Sequence, residues 1–476
     1  MSTSSQTAVT PVNSDPTAGP PFSSLPLPPP TVANLQRLGY ERMTPIQAAS
    51  LPLALAGKDL IAQSKTGSGK TAAFALPLLA NLNPRRFAVQ AVVLCPTREL
   101  AEQVTQEIRR LARAEDNIKT LTLCGGAPIR TQIASLAHGA HIVVGTPGRI
   151  LDHLSRDTLA LDALNTLVLD EADRMLDMGF AEDIANVIKL CPAQRQTLLF
   201  SATYPDGVAK MASRFMREPQ EVKLTERHAV TKIRQRFYEV KEDERLHAVG
   251  LLLRHYRPVS TLAFCNTKQQ CRDLVAVLQA EGIVALELHG DLDQRERDQV
   301  LVQFANRSCS VLVATDVAAR GLDIAQLEAV INVDITPDIE VHTHRVGRTG
   351  RADESGWAFN LASLDEMGRV GRIEEMQGSA SVWHPVSELV APAGAEPLHP
   401  PMVTLQILGG RKEKIRPGDV LGALTKDLGF ESAQIGKINV NEFSTYVAVE
   451  RGIADKALRG LNAGKVKGKS VKVRRL

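Results

Sequence analysis

The chain has 476 residues, 44% of them hydrophobic, and a formal net charge of +3, which is enough for two to four domains with real cores. No apolar run reaches the roughly 18 residues that span a bilayer, and the first residues lack the basic start and apolar core of a secretory signal, so the expected location is the cytoplasm. The six cysteines stand far apart with no CxxC pair, a pattern that excludes a disulfide scaffold or a Cys/His zinc site and predicts free thiols.

Residues 1–30 hold eight prolines and a single charge, Asp15, and are expected to be a disordered Ser/Thr/Pro-rich tail. From 31 to 220, apolar runs alternate with helix-like segments: "DLIAQ", "AVVLCPT", "HIVVGT", "TLVLDEAD" and "TLLFSAT" read as buried parallel strands. The pattern restarts near residue 232 with "TLAFCNT", "VALELHG", "VLVATD" and "AVINVD". The expected fold class is therefore α/β, with two doubly wound parallel-sheet domains in tandem, 31–220 and 221–377. A linker is expected over 378–401. Residues 402–476 read strand, helix, strand, strand, helix, strand, a small α+β domain of RRM-like order. This last segment carries 15 Lys+Arg against 7 Asp+Glu, leaving −5 of the overall charge for residues 1–401. It is a candidate for contact with a polyanion, the alternative being a solvated Lys-rich face.

The chemistry starts at "SKTGSGKT", 64–71, between the strand "DLIAQ" and the helical run "AAFALPLLANL". Ser64, Lys65, Thr66, Gly67, Ser68, Gly69, Lys70 and Thr71 form a P-loop pattern. Backbone N–H groups converge on phosphate oxygens, Lys70 reaches the terminal phosphates and Thr71 offers a hydroxyl to Mg²⁺. Ser64 stands where Gly or Ala is usual. About one hundred residues on, the apolar run of "TLVLDEADRML" stops at Asp170, Glu171 and Asp173. In a P-loop enzyme a second parallel strand delivers an Asp to the Mg²⁺ shell, here Asp170, and a neighbouring acid can orient or deprotonate the attacking water, here Glu171. The alternative, that these acids only cap the next helix, leaves the buried strand and the P-loop unexplained.

From about residue 22 to 375 the chain resembles the DEAD-box ATP-dependent RNA helicases, motif by motif and in order. "TPIQ", 44–47, resembles that family's adenine-reading motif, which implies Thr44 and Gln47 at the nucleotide, with Phe22 as the upstream aromatic or else a local anchor. "PTRELA", "GG" at 125–126 and "TPGR" resemble the RNA-backbone motifs and imply that role for Arg98, Gly126, Thr146 and Arg149. "SAT", 201–203, resembles the motif that couples hydrolysis to RNA separation, linking Ser201 and Thr203 to Asp173. "HGDLDQRER" and "ATDVAARGLD" imply Gln294, Arg297, Thr315 and Asp316 as RNA-side or interdomain residues and Asp323 as a ribose contact. "HRVGRTGR", 344–351, implies Arg348 and Arg351 as arginine fingers and His344 as a link across the cleft. ATP and Mg²⁺ follow as cofactors, and local unwinding of short RNA duplexes as the activity.

The stretch "GGRKEKIRPGDVLGALTKDLG...IGKI" resembles the C-terminal domain of the bacterial DbpA subgroup of these helicases. That likeness implies a hairpin of large-subunit ribosomal RNA as the target, pre-ribosomal particles as partners, and a monomer. RNA contact is expected from Arg411, Lys412, Lys414, Arg416, Lys437 and the tail "KVKGKSVKVRRL", because only Tyr446 offers an aromatic ring in the third strand of this domain and none stands in the first. Two alternatives stay open: a general RNA-remodelling helicase, and an ATP-gated RNA clamp without ribosomal specificity.

Overall fold

A computed structural model describes residues 19–64, 68–224, 233–319, 327–350, 356–392, 394 and 398–476, which form two compact units. In the first, seven strands form one sheet: β1 (Leu60–Gln63), β2 (Ala91–Leu94), β3 (Thr120–Leu123), β4 (Ile142–Gly145), β5 (Thr166–Leu169), β6 (Gln196–Ser201) and β7 (Gln220–Lys223). Their order is β3-β4-β2-β5-β6-β1-β7, and every pair is parallel. Alternate residues feed two cores, Val93, Val168 and Leu198 into one and Val92, Leu167 and Leu199 into the other. Helices cover both faces, so the inner strands are apolar throughout.

The second unit repeats the design with β8 (Ile233–Glu239), β9 (Thr261–Cys265), β10 (Ala285–Leu288), β11 (Val311–Thr315), β12 (Ala329–Asn332), β13 (Gly356–Ala362) and β14 (Trp383–His384). The order is β10-β11-β9-β12-β13-β8-β14, again all parallel. Adding seven to each strand number of the first sheet reproduces it. The same unit carries the C-terminal domain, an antiparallel sheet of β15 (Met402–Ile407), β16 (Ile435–Val440), β17 (Thr445–Glu450) and β18 (Val473–Arg475) in the order β16-β17-β15-β18. Helices Pro417–Gly422 and Ala454–Ala463 supply Val420, Ala457 and Leu461 to its core. All six cysteines are buried.

Two expected boundaries move. Structure begins before residue 31: Pro21 bridges to Arg42, and Phe22 is buried edge-on to Tyr40. An aromatic ring with a pocket to fill orders a Pro-rich segment that composition alone reads as tail. The expected linker is structured over much of 378–401, because β14 pairs with β8 and Leu389 is buried in the core of the second unit, with Leu398 packed against it.

Candidate functional site: a nucleotide cradle and its RNA-side motifs

Parallel strands send all their carboxyl ends to one edge of the sheet, the edge where open α/β sheets bind ligands. In the first unit β1, β6 and β5 end side by side, and β2, β4 and β3 continue the same edge. The P-loop leaves β1 here. Ser64 N–H donates to Ser201 O at 3.0 Å, and the Ser64 and Ser68 hydroxyls lie 2.8 Å apart. Lys70 is buried at the start of helix Lys70–Ala80 and donates from Nζ to Ser64 O at 3.0 Å. Lys65, Thr66 and Gly67 lie outside the described residues. Gly69 has φ +92°, a conformation that favours glycine, and a Cβ there would stand 2.5 Å from Gln47 Nε2 and push that amide aside. Gln47 donates to Gly69 O at 3.0 Å and accepts from Thr44 N–H at 2.9 Å, which ties "TPIQ" directly to the loop.

The acids sit at the end of β5. Asp170 is 3% exposed and its Oδ1 has no hydrogen-bond partner among the described residues. Burial pushes its carboxyl up to about 7, against the pull of the nearby Lys70 ammonium, and the neighbouring Glu171 adds to the rise. A buried, unpartnered carboxylate oxygen beside a P-loop fits a divalent cation, which would restore the charged form. Glu171 adopts a left-handed backbone at φ +53°, uncommon for a residue with a Cβ, and its carboxylate accepts from Arg174 Nη1 at 2.7 Å with both side chains buried. Asp173 accepts from Ala202 N–H, Thr203 N–H and Thr203 Oγ1 at 3.2, 2.8 and 2.9 Å, and its own N–H donates to Ser201 Oγ. Burial alone would raise the Asp173 carboxyl; the bonds from Thr203 outweigh it and hold it below its usual range. The sequence therefore places Asp173, Ser201 and Thr203 together as expected, whereas Arg174 was not anticipated, its only signal being the i,i+3 spacing from Glu171.

The Asp170 carboxyl makes a prediction about pH. A group whose pKa is higher folded than unfolded contributes stability that is full below its unfolded value, near 3.8, and is lost as pH rises through its folded value, about 7. In metal-free buffer, Asp170→Asn is expected to flatten the fall of melting temperature across that window, and melts of variant and parent with the same slope would refute the assignment.

The RNA-side motifs occupy the β2, β3 and β4 half of the edge. Arg98 opens helix Arg98–Leu111, capped by Thr97 Oγ1. Gly126, φ +76°, turns the chain after β3 and is exposed, while Thr146 N–H donates to Leu123 O. Arg149 Nη1 donates to Ala127 O and to Gln132 Oε1, each at 3.0 Å. Gln132 also donates to Cys124 O and meets His153 Nε2 at 2.9 Å, so one amide joins the "GG" and "TPGR" segments. Nothing in the sequence singles Gln132 out.

In the second unit, Gln294 donates to Asp298 at 2.8 Å on a helix capped by Asp293, and Arg297 is half-buried on the same helix. Thr315 ends β11. Asp316, expected as an RNA-side or interdomain residue, has a partner inside its own unit: Arg345 binds it through Nε and Nη2 at 2.6 and 2.7 Å. Arg345 is 1% exposed and also donates to Asp334 O and Asn266 Oδ1. Of the "HRVGRTGR" run, His344 is half-buried and Arg348 buried; Arg351, like Asp323, lies outside the described residues. In the C-terminal domain Arg411, Lys412, Lys414, Arg416 and Lys437 are all exposed, with Lys412 paired to Glu442 and set over the Phe443 ring.

A P-loop, acid-ended parallel strands, and a second sheet of the same order define a RecA-like ATPase core. Residues 44–211 match the DEAD/DEAH box helicase family, 244–353 the helicase conserved C-terminal domain and 404–475 the DbpA RNA binding domain. The chain is 52% identical over 452 residues to the ATP-dependent RNA helicase DbpA of Escherichia coli, covering 94% of this chain and 98% of that one. It is 46% identical over 341 residues to the DEAD-box ATP-dependent RNA helicase CshA of Geobacillus kaustophilus, covering 71% and 73%. Dbp5 of S. cerevisiae, solved with RNA and ADP BeF3, superposes at a TM-score of 0.71 and 31% identity over 77% of this chain and 96% of that one. The chain belongs to the DEAD-box ATP-dependent RNA helicases, ATP-hydrolysing enzymes that act on RNA, and its C-terminal domain is of the DbpA type.

Proposed function

We propose that this helicase unwinds short duplexes locally and is directed by its C-terminal domain to large-subunit (23S) ribosomal RNA during ribosome assembly in the cytoplasm, acting as a monomer. The observation that carries the reading is a folded, basic domain of the DbpA type fixed to the second ATPase unit, where Thr404 Oγ1 meets Asn306 Nδ2 at 3.1 Å and Ser308 Oγ at 2.7 Å. A helicase of general RNA turnover has no need of such a domain.

The catalytic roles follow from the chain's own groups. Gln47 and Thr44 brace the loop that takes the phosphates, and Lys70 offsets their charge. Thr71 and Asp170 would hold Mg²⁺, which neutralises charge between the terminal phosphates when bound. Glu171, oriented by Arg174, takes the proton of the attacking water. Arg348 and Arg351 supply positive charge to the transferring phosphoryl group, His344 links the motifs, and Asp323 contacts the ribose. Asp173, bound to the "SAT" segment, communicates the state of the phosphate to the RNA side. Arg98, Gly126, Thr146, Arg149, Gln294, Arg297 and Thr315 grip phosphates and sugars without reading sequence.

The test is steady-state ATPase activity of the full chain and of a chain ending near residue 400, each with large-subunit ribosomal RNA fragments and with unrelated structured RNA. Strong stimulation by one ribosomal fragment, lost on truncation, is the expected result. Equal stimulation by every RNA in both chains would return the protein to general RNA remodelling.

A further inference from the structure

Helix Ile129–Leu136, between β3 and β4, buries a single side chain, and that side chain is Gln132, 8% exposed. Its aliphatic residues Ile129, Ile133 and Leu136 are only half-buried. A helix that gives its inward position to an amide forgoes the apolar burial that ordinarily holds it to a sheet, and the bonds of the amide show what is gained. Gln132 Nε2 donates to Cys124 O at 2.9 Å, and Oε1 accepts from Arg149 Nη1 at 3.0 Å and from His153 Nε2 at 2.9 Å. Arg149 Nη1 donates in turn to Ala127 O at 3.0 Å. Cys124 and Ala127 flank Gly125 and Gly126, so amide and guanidinium clasp the two ends of the "GG" turn and each other in one ring of hydrogen bonds.

The sense of that ring is forced. A guanidinium only donates and a carbonyl only accepts, so the atom of Gln132 that faces Arg149 is the oxygen and the atom that faces Cys124 O is the nitrogen. His153 Nε2 then carries a proton, and Nδ1 is left to accept from Thr158 Oγ1 at 2.8 Å. His153 is fully buried one turn beyond Arg149 on helix Pro147–Ser155, and burial, with the Arg149 charge beside it, holds the imidazole below its usual range. The neutral ring has one proton, on the nitrogen that Gln132 needs. On the outer side, Arg149 Nη1 is engaged twice, Nε faces Asp152 at 3.8 Å, and Nη2 has no hydrogen-bond partner among the described residues. An arginine that takes a phosphate ordinarily loses rotamer freedom as it does so. This one is already fixed, with one edge left over.

We propose that Gln132 is a positioning residue for RNA: backed by His153, it holds the Arg149 guanidinium and the "GG" turn as one preformed phosphate grip. The inference rests on the reading that Arg149 contacts an RNA phosphate. It is tested on the full chain with a fluorescein-labelled single-stranded oligouridylate, by anisotropy with and without ADP BeF3 and by RNA-stimulated ATPase activity, in Gln132→Leu, Arg149→Ala and the double variant. Gln132→Leu should weaken the nucleotide-dependent part of RNA binding by about tenfold, the loss expected of a hydrogen bond to a charged group. Its salt slope should fall by about one, as for one phosphate no longer neutralised. The half-saturating RNA concentration of the ATPase should rise in step, with turnover at saturating RNA within about twofold of the parent, because the loss lies in binding. Added to Arg149→Ala, the exchange should weaken binding no further, since its effect runs through that arginine. His153→Phe, which keeps a ring in the same space without the Nε2–H, should weaken binding by about threefold and carries the test if the first variant does not fold. Parent-like affinity in either variant, or losses that add to that of Arg149→Ala, would overturn the positioning role. An Arg149→Ala chain that binds RNA as the parent does would overturn the reading of Arg149 as a phosphate contact, and the inference with it.

Discussion

RNA-stimulated ATP turnover by Glu171→Gln is expected to fall by about 10²–10⁴-fold, the usual contribution of a positioned general base, while nucleotide and RNA binding stay close to those of the parent. The amide is isosteric and can still accept from Arg174 Nη1, the contact that fixes the parent side chain at 2.7 Å, but it cannot take a proton. The left-handed backbone at this position is already satisfied by the turn from β5 into helix Ala172–Asp177, so the exchange asks nothing new of the main chain. Steady-state hydrolysis and fluorescence-anisotropy binding of nucleotide and RNA separate the two effects. Full activity would remove Glu171 from the chemical step, and loss of binding would make its role structural.

The second large effect is one of stability. Arg345→Ala is expected to destabilise the second unit by about 1–3 kcal/mol, because it removes a buried guanidinium from buried acceptors and from a carboxylate that is itself 25% exposed and can partly be rescued by water, and to lower its melting temperature by several degrees. The deletion strands the Asp316 carboxylate, Asn266 Oδ1 and Asp334 O, and removes the guanidinium from over the Phe264 ring, 5.1 Å away. Removing both charges, as Arg345→Met with Asp316→Leu, should cost less than the single change, because no charge is left unpaired. Melting followed by circular dichroism measures all three proteins. A single variant as stable as the parent would show that water replaces the guanidinium, and would leave Asp316 available to RNA.

Arg345 also shows what a sequence conceals. In "HRVGRTGR" it is one arginine among three and the one to which the motif gives no role; which way it faces depends on the helix Ile339–Val346, whose inner side buries His342, Arg345 and Val346 together. The strands that end in motifs were legible because both their faces are covered and their apolar runs are unbroken. β8, "IRQRFYE", was missed because Arg234 and Arg236 interrupt the run; in the fold their guanidinium groups lie over the Trp357 ring, an interaction between distant parts of the chain. β7, "QEVK", buries Val222 alone and gains its place by pairing with β1. Gln132 and Arg174 escaped for the same reason: each acts by meeting a partner, and the meeting is a property of the fold. The acids and the P-loop needed no such help, since the chemistry of phosphate transfer prescribes residue types at fixed positions along a strand and a turn.

The six buried thiols have a practical consequence. Cys95, Cys124 and Cys191 lie in the first ATPase unit and Cys265, Cys271 and Cys309 in the parallel-sheet part of the second, while the C-terminal domain has none. Burial raises the pKa of Cys124 and Cys309 to about 12 and that of Cys191 to about 11, so a thiol reagent in solution finds little to react with until a unit opens. The unaltered chain thus contains its own set of reporters. The order in which the two groups of cysteines are alkylated, read peptide by peptide, would tell which half of the motor breathes first and how ATP or RNA quiets it.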